Sequence, residues 1–357
     1  MSSPTTLLEK SPPQEADNKS RPKPQSRLLQ LIMRLTNISD RTKTRLKVLV
    51  SVCLIASLLF FDKFDLSKSW DAALTAHKGF LIGSLALFLI TPVFNALRWQ
   101  LLSRAVGLEK NLIRMTQFCY VGVFFNLFLP STVGGDVSRC YYLSKGTGKY
   151  LHALSSVLVD RAIGLAVLLM FATFGLLLGP GGSEIPMNLK LPIFLLTFAV
   201  FGLVPFAPQI SNRVLGKSNW LSIKLNQSTA KVFWEDKGLI LVSFALSILL
   251  QVMVVLCHVG IGMALGISVP LWYYFVFYPS VAVLGFVTPS INGIGIREWA
   301  YTYFLALMGV ENSTALTFAI IWLGFITLMS LVGGVVYTLG HFKISEEDKQ
   351  KIRRGQM

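Results

Sequence analysis

Charge is scarce in this sequence. Asp, Glu, Lys and Arg make up 14% of its 357 residues, while 53% are hydrophobic. Soluble domains carry about a quarter charged residues, so an ordinary soluble protein is excluded. Histidine and cysteine are scarce too, at four each. The cysteines (Cys53, Cys119, Cys140, Cys257) show no paired spacing, which argues against a zinc site or disulfide framework and reads them as small apolar residues. No His-Glu-x-x-His or Gly-x-Ser-x-Gly occurs. Gly134-Gly135 is not followed by the Gly-Lys-Ser/Thr of a P-loop, which leaves no ATP site of that kind. Ser131 and Ser290 have no histidine placed to act as their base. Outside the apolar runs, the longest internal polar stretch is 208–237, too short for a catalytic domain. The expectation is a chain with no catalytic centre, no metal and no cofactor.

What the chain has instead is apolar runs of membrane-crossing length. Residues 48–61, 79–99, 153–178, 192–207, 238–265 and 315–339 read as spans, with shorter runs at 115–129, 271–288 and 299–310. The fold class expected is all-α, a polytopic transmembrane helical bundle. Residues 1–26 are polar and Pro-rich, read as a disordered tail without the apolar core of a cleavable signal peptide. Residues 27–47 form a basic amphipathic or juxtamembrane segment, 48–340 the transmembrane domain, and 341–357 a charged tail.

Two stretches rhyme within that domain. Pro130-Ser-Thr-Val-Gly134-Gly135-Asp136 and Pro289-Ser-Ile-Asn-Gly293-Ile-Gly295 both spell Pro-Ser-x-x-Gly after an apolar run. Proline lacks an N–H and glycine tolerates positive φ, so each should break a helix. Irregular backbone at membrane depth survives only inside protein or beside a wet cavity. If both elements are re-entrant, 27 of the 33 Lys and Arg residues fall on one side and four on the other, which satisfies the positive-inside rule with both termini in the cytoplasm. This bookkeeping also assigns the net charge of +15 to orientation and leaves no nucleic-acid partner. A full crossing at 115–129 would invert the later loops. The two elements would then enter from opposite faces, as in the inverted repeats of many transporters; the competing reading is a pair of unrelated kinks.

Charged residues inside spans cost about 2.5–3.5 kcal/mol each and point to function. Asp160 and Arg161 sit about 10 Å inside their run, counted from its first residue at 1.5 Å per residue. Asp160 is expected to pair with Arg139 or Arg297, leaving Arg161 for a ligand. Arg139, Arg161 and Arg297 together suit a phosphate-bearing headgroup, because the guanidinium fork matches phosphate oxygens. Asp136 and Glu298 would orient those arginines or meet a cationic headgroup. Asn126, like Asn95 and Asn292, is placed to satisfy broken backbone. Arg98 is read as snorkelling to the cytoplasmic edge, and His258 as making a helix–helix hydrogen bond.

The run Asn126-Leu-Phe-Leu-Pro130-Ser-x-x-Gly134-Gly135-Asp136-x-x-Arg139, followed by Asp160-Arg161, resembles the transmembrane region of lysylphosphatidylglycerol synthases and the stand-alone flippase-like membrane proteins related to it. Pro289 to Glu298 is similar to that family's second signature, with Ile291 and Asn292 departing from its usual Pro-Gly-Gly-x-Gly. The synthases carry a soluble aminoacyl-transfer domain that has no counterpart here. The resemblance therefore implies movement of a phospholipid or a polyprenyl or glycolipid headgroup across the cytoplasmic membrane. The alternative is a non-catalytic membrane subunit that presents a lipid to a partner glycosyltransferase or synthase.

Overall fold

The computed structural model describes residues 66–128, 133–179, 185–203, 232–233, 235–287, 293, 295–340 and 342. The tail, the basic segment and the first span expected at 48–61 lie outside these residues, as do Pro130, Pro289 and all but Phe342 of the C-terminal tail. Ten α-helices occur among the described residues, and no strand. They are α1 (Leu66–Thr75), α2 (Lys78–Ala105), α3 (Leu112–Phe128), α4 (Val133–Ser144), α5 (Tyr150–Leu178), α6 (Met187–Phe198), α7 (Lys237–Ala264), α8 (Leu271–Val287), α9 (Ile296–Leu307) and α10 (Asn312–Leu339). A π-helical turn, Ala199–Leu203, extends α6.

Four of these, α2, α5, α7 and α10, are long and apolar enough to cross a bilayer. Each has 28 or 29 residues, about 42 Å at 1.5 Å per residue, against a hydrocarbon core of about 30 Å. Pro92 lies inside α2 and removes the N–H that would serve the Phe88 carbonyl. The Thr91 hydroxyl donates to that carbonyl instead, at 2.7 Å, so this acceptor is not stranded. Helix α1 was not expected, since its segment reads as polar; it docks on α10, where Ser69 Oγ donates to the Ser313 carbonyl and Thr317 Oγ1 to the Ser69 carbonyl.

The helix lengths repeat. From α2 to α5 they run 28, 17, 12 and 29 residues; from α7 to α10 they run 28, 17, 12 and 28. The packing repeats as well. Helices α2 and α7 lie against each other, α3 packs on α10 as α8 packs on α5, and each short pair packs on itself. The central pair is antiparallel: the His77 N–H, at the start of α2, donates to the carbonyl of Ala264, at the end of α7. Further along, Arg98 Nη1 donates to Ser247 Oγ. Two equal halves whose first helices oppose each other form an inverted repeat, and small residues such as Ser84 against Gly260 let the central backbones approach closely.

Both short pairs are hairpins rather than kinked spans. In the first, Gly122 faces Arg139 while Asn126 faces Gly135, so α4 returns alongside α3. In the second, Gly285 faces Arg297 and the Tyr273 hydroxyl donates to the Phe304 carbonyl. Their turns differ. Gly134 and Gly135 already belong to the first turn of α4, whereas Gly293 and Gly295 adopt φ of 77° and 89° ahead of α9. Four residues separate the helices of the first hairpin and eight those of the second. The shared spelling thus covers two local geometries.

Candidate functional site

A chain of charged side chains threads the first half. Asp160 is 1% exposed and accepts from Arg98 Nε at 2.8 Å and from Arg139 Nη2 at 3.2 Å. Arg139 is 3% exposed, and its Nη1 lies 3.6 Å from Asp136 Oδ1. Asp136, 19% exposed, is gripped by Arg161 through Nε at 3.0 Å and Nη2 at 2.6 Å. Arg161 ends the chain and is 49% exposed. Three arginines face two aspartates, so the chain carries one net positive charge. It runs from a dry core to an accessible end.

Each partner is positioned by a specific local contact. Arg98 also reaches Asn95 Oδ1 at 3.3 Å and Ser247 Oγ at 2.6 Å, which ties the chain to α7. The Arg139 guanidinium lies 4.1 Å above the Trp99 ring, a cation–π contact, and Trp99 Nε1 donates to Ser156 Oγ. The aliphatic stem of Arg139 crosses Gly122, where an added Cβ would stand 3.1 Å from its Cγ and Cδ. Asn126 Oδ1 accepts the Gly135 N–H at 2.8 Å, which satisfies a free donor at the start of α4 and pins the hairpin.

Several expectations need correction. Arg98 does not snorkel; it is buried and bonded to Asp160. Because α5 begins at Tyr150, Asp160 and Arg161 lie about 15 Å along it rather than 10 Å. Arg161 is not free, since Asp136 holds it. Arg297 stands apart: no ion pair or hydrogen bond among the described residues links it to Arg139, Arg161 or Asp160. Glu298 orients no arginine among them either. Its carboxylate accepts the Gly295 N–H at 2.5 Å, capping α9. His258 makes the expected cross-helix bond, with Nε2 2.8 Å from the Tyr301 hydroxyl and Nδ1 2.7 Å from the Val254 carbonyl. Cys119, Cys140 and Cys257 are buried and unpaired, and no cluster of three metal-ligating side chains occurs among the described residues.

Arg98, Trp99 and Ser247 are members that the sequence reading missed. Asn95 at i−3 from Arg98, an amide and a guanidinium on one face of a largely apolar span, was the available signal.

The two halves carry different chemistry at matching places. Trp99 and His258 are both the twenty-second residue of their helices, and Asp160 and Trp322 both the eleventh. Arg139 is the seventh residue of α4 and Tyr301 the sixth of α9. Where the first half has its ions, the second has His258 packed on Trp322, with ring centroids 4.0 Å apart, and bonded to Tyr301.

Comparison with known proteins bears on this architecture. No solved structure matches the chain. A UPF0104 membrane protein of Methanocaldococcus jannaschii is 27% identical over 136 residues, which span 37% of this chain and 40% of that relative's length. Residues 46–334, from before α1 to near the end of α10, match the family described as the lysylphosphatidylglycerol synthase TM region. That stretch includes both hairpins and every member of the ion chain, and the protein belongs to the lysylphosphatidylglycerol synthase TM region family.

Proposed function

We propose that this protein is a lipid transporter that passes a phosphate-bearing headgroup between its two hairpin elements while the acyl chains remain in the bilayer. The observation that carries the reading is Arg161. It lies about 16 Å along a helix of about 42 Å, hence about 10 Å inside a hydrocarbon core of about 30 Å centred on that helix, yet its side chain is half exposed. A guanidinium at that depth requires an anion or water beside it. Asp136 supplies one carboxylate through the Nε and Nη2 edge and leaves Nη1 without a partner among the described residues. A phosphate can take that remaining corner or displace Asp136, and the net positive charge of the chain favours an anion. Asp136 then serves as the resident counter-ion that keeps Arg161 paired between substrates. Exposed Val137 and Leu158 flank the pair and offer an apolar surface to acyl chains.

The resemblance of both signatures to flippase-like proteins supports the same reading. The distribution of Lys and Arg supports cytoplasmic termini. The test is movement of fluorescent phospholipids in proteoliposomes, followed by quenching from the outer face. Wild-type protein should accelerate exchange, and Arg161→Ala should abolish it while the protein stays monodisperse. Unaltered exchange in that variant, or binding of lipid by the wild type without any exchange, would overturn the proposal; the second outcome fits a subunit that presents lipid to a partner enzyme.

A further inference from the structure

The second hairpin holds an arginine with no counter-ion among the described residues. Arg297 lies in the first turn of α9, and its Nε and Nη2 are buried without a hydrogen-bond partner among the described residues. No carboxylate among the described residues lies within ion-pair distance of it. The adjacent Glu298 is spent on the Gly295 N–H. Arginine does not shed its proton in a protein, so the charge persists. The residue as a whole is only partly buried, and a buried donor left unsatisfied costs about 1–3 kcal/mol.

The first hairpin shows what is different. Asn126 is the fifteenth residue of α3, and its side chain fills the space between the two helices. The fifteenth residue of α8 is Gly285, and the stem of Arg297 lies in the slot left there: a Cβ on Gly285 would stand 3.3 Å from Arg297 Cγ. Gly293, held at φ 77°, walls the other side, with its added Cβ position 3.0 Å from Arg297 Nε. The missing side chains thus make room for the arginine, and no described residue supplies an acceptor for its Nε and Nη2. The two orphaned atoms, Nε and Nη2, form one edge of the guanidinium, whose parallel N–H bonds fit two oxygens of one oxyanion. Arg161 uses the same edge to grip Asp136.

We infer that Arg297 is an oxyanion-binding residue, and that a phosphate group docks on its Nε–Nη2 edge inside the second hairpin. This is a separate site from the one proposed at Arg161, and it requires no lipid movement. The phosphate has two sources, a lipid headgroup or a free ion. The full chain, purified in a non-ionic detergent without phosphate, is titrated with inorganic phosphate and with a short-chain phosphatidylglycerol, and binding is followed by calorimetry. At least one should saturate. If only the phospholipid does, the site reads a headgroup; if inorganic phosphate also binds, it accepts the free ion. Arg297→Gln should weaken whichever binds by at least about tenfold. Arg297→Lys keeps the charge but not the parallel N–H pair and should be intermediate. Absence of saturable binding by the wild type, or equal affinity in Arg297→Gln, overturns the assignment. Without phosphate, Arg297→Gln should melt no lower than wild type, because it removes a charge that lacks a partner. A lower melting temperature, or failure of that variant to fold, would place the missing partner within the protein and also overturn it. The Arg161 exchange assay and this titration fail independently.

Discussion

Asp160→Asn is the sharpest perturbation of the ion chain. The carboxylate is 1% exposed and serves two arginines, one oxygen each, at 2.8 and 3.2 Å. Asparagine retains one acceptor and turns an NH2 toward the other guanidinium, donor against donor. The chain then holds three positive charges and a single carboxylate. Removing one partner of a buried pair costs about 3–5 kcal/mol, because a charge is stranded where water cannot reach it. At about 2 °C per kcal/mol for a protein of this size, the melting temperature in detergent should fall by roughly 6–10 °C. Arg139→Gln made on top of Asp160→Asn restores the original net charge and leaves the amide oxygen for Arg98. It should recover on the order of 1–3 kcal/mol of that loss, well outside simple additivity. Thermal unfolding of the four proteins in the cycle measures both quantities. A melting temperature for Asp160→Asn equal to that of wild type, or strict additivity in the double variant, would show that the ions are not coupled as the geometry demands.

The first hairpin makes its own demands. Asn126→Leu leaves the Gly135 N–H without its acceptor and should lower stability by about 1–3 kcal/mol, whereas Asn126→Asp, which keeps an acceptor oxygen, should be milder in the same unfolding assay. Gly135→Ala would drive a methyl group into the Gly122 carbonyl oxygen and Asn126 Oδ1, at a cost of about 1–3 kcal/mol; stability equal to wild type would mean that α3 and α4 separate without penalty. The inverted arrangement predicts labelling from opposite faces. Thr147 and Glu311 are exposed residues beside the starts of α5 and α10, so cysteines introduced there in a Cys53→Ser background should react with an impermeant maleimide from opposite sides of sealed vesicles. Labelling from one side would remove the repeat.

The four long spans and the two turn-backs were legible because they rest on composition, whereas the span expected at 192–207 is the shorter α6 with its π-helical turn and that at 48–61 lies outside the described residues. A run of apolar residues has to be a helix in lipid, and the Lys and Arg tally depends on which runs cross. Even so, α5 starts at Tyr150 rather than at 153, since polar residues such as His152 extend the helix beyond the apolar run. Helix α1 escaped notice because its burial is decided by α10, through Ser69, Ser313 and Thr317, and not by its own pattern. The grouping of Arg139, Arg161 and Arg297 into one site followed from their shared chemistry. Which arginine meets which carboxylate depends on helix rotation and on partners 62 residues apart, as Arg98 and Asp160 are. Neighbours in sequence had no say in that. Arg161 grips Asp136 while the adjacent Asp160 turns inward, as the 100° step of a helix allows.

Matching lengths carry unmatched chemistry: among the described residues the chain of coupled ion pairs lies in the first half alone. An inverted repeat built from identical halves would bury the same charges twice, and each buried ion carries a desolvation cost that only good partners offset. Here the second half places neutral groups at the corresponding levels: His258 and Trp322 stand where Trp99 and Asp160 do, Tyr301 stands one residue off the place of Arg139, and His258 bonds the Tyr301 hydroxyl and the Val254 carbonyl. That substitution keeps the interhelical contacts of the repeat, so the symmetric scaffold survives while only the first half bears the strongly coupled ions. It also bears on which hairpin can move. Displacing α4 from α5 breaks the Asp136–Arg161 and Arg139–Asp160 pairs, which a competing anion can replace one at a time. Displacing α9 from α7 breaks the His258–Tyr301 bond and a dry aromatic cluster, for which an anionic ligand offers no substitute. On the transport proposed above, a headgroup that exchanges ion pairs would act on the first hairpin, independently of an oxyanion held at Arg297 in the second.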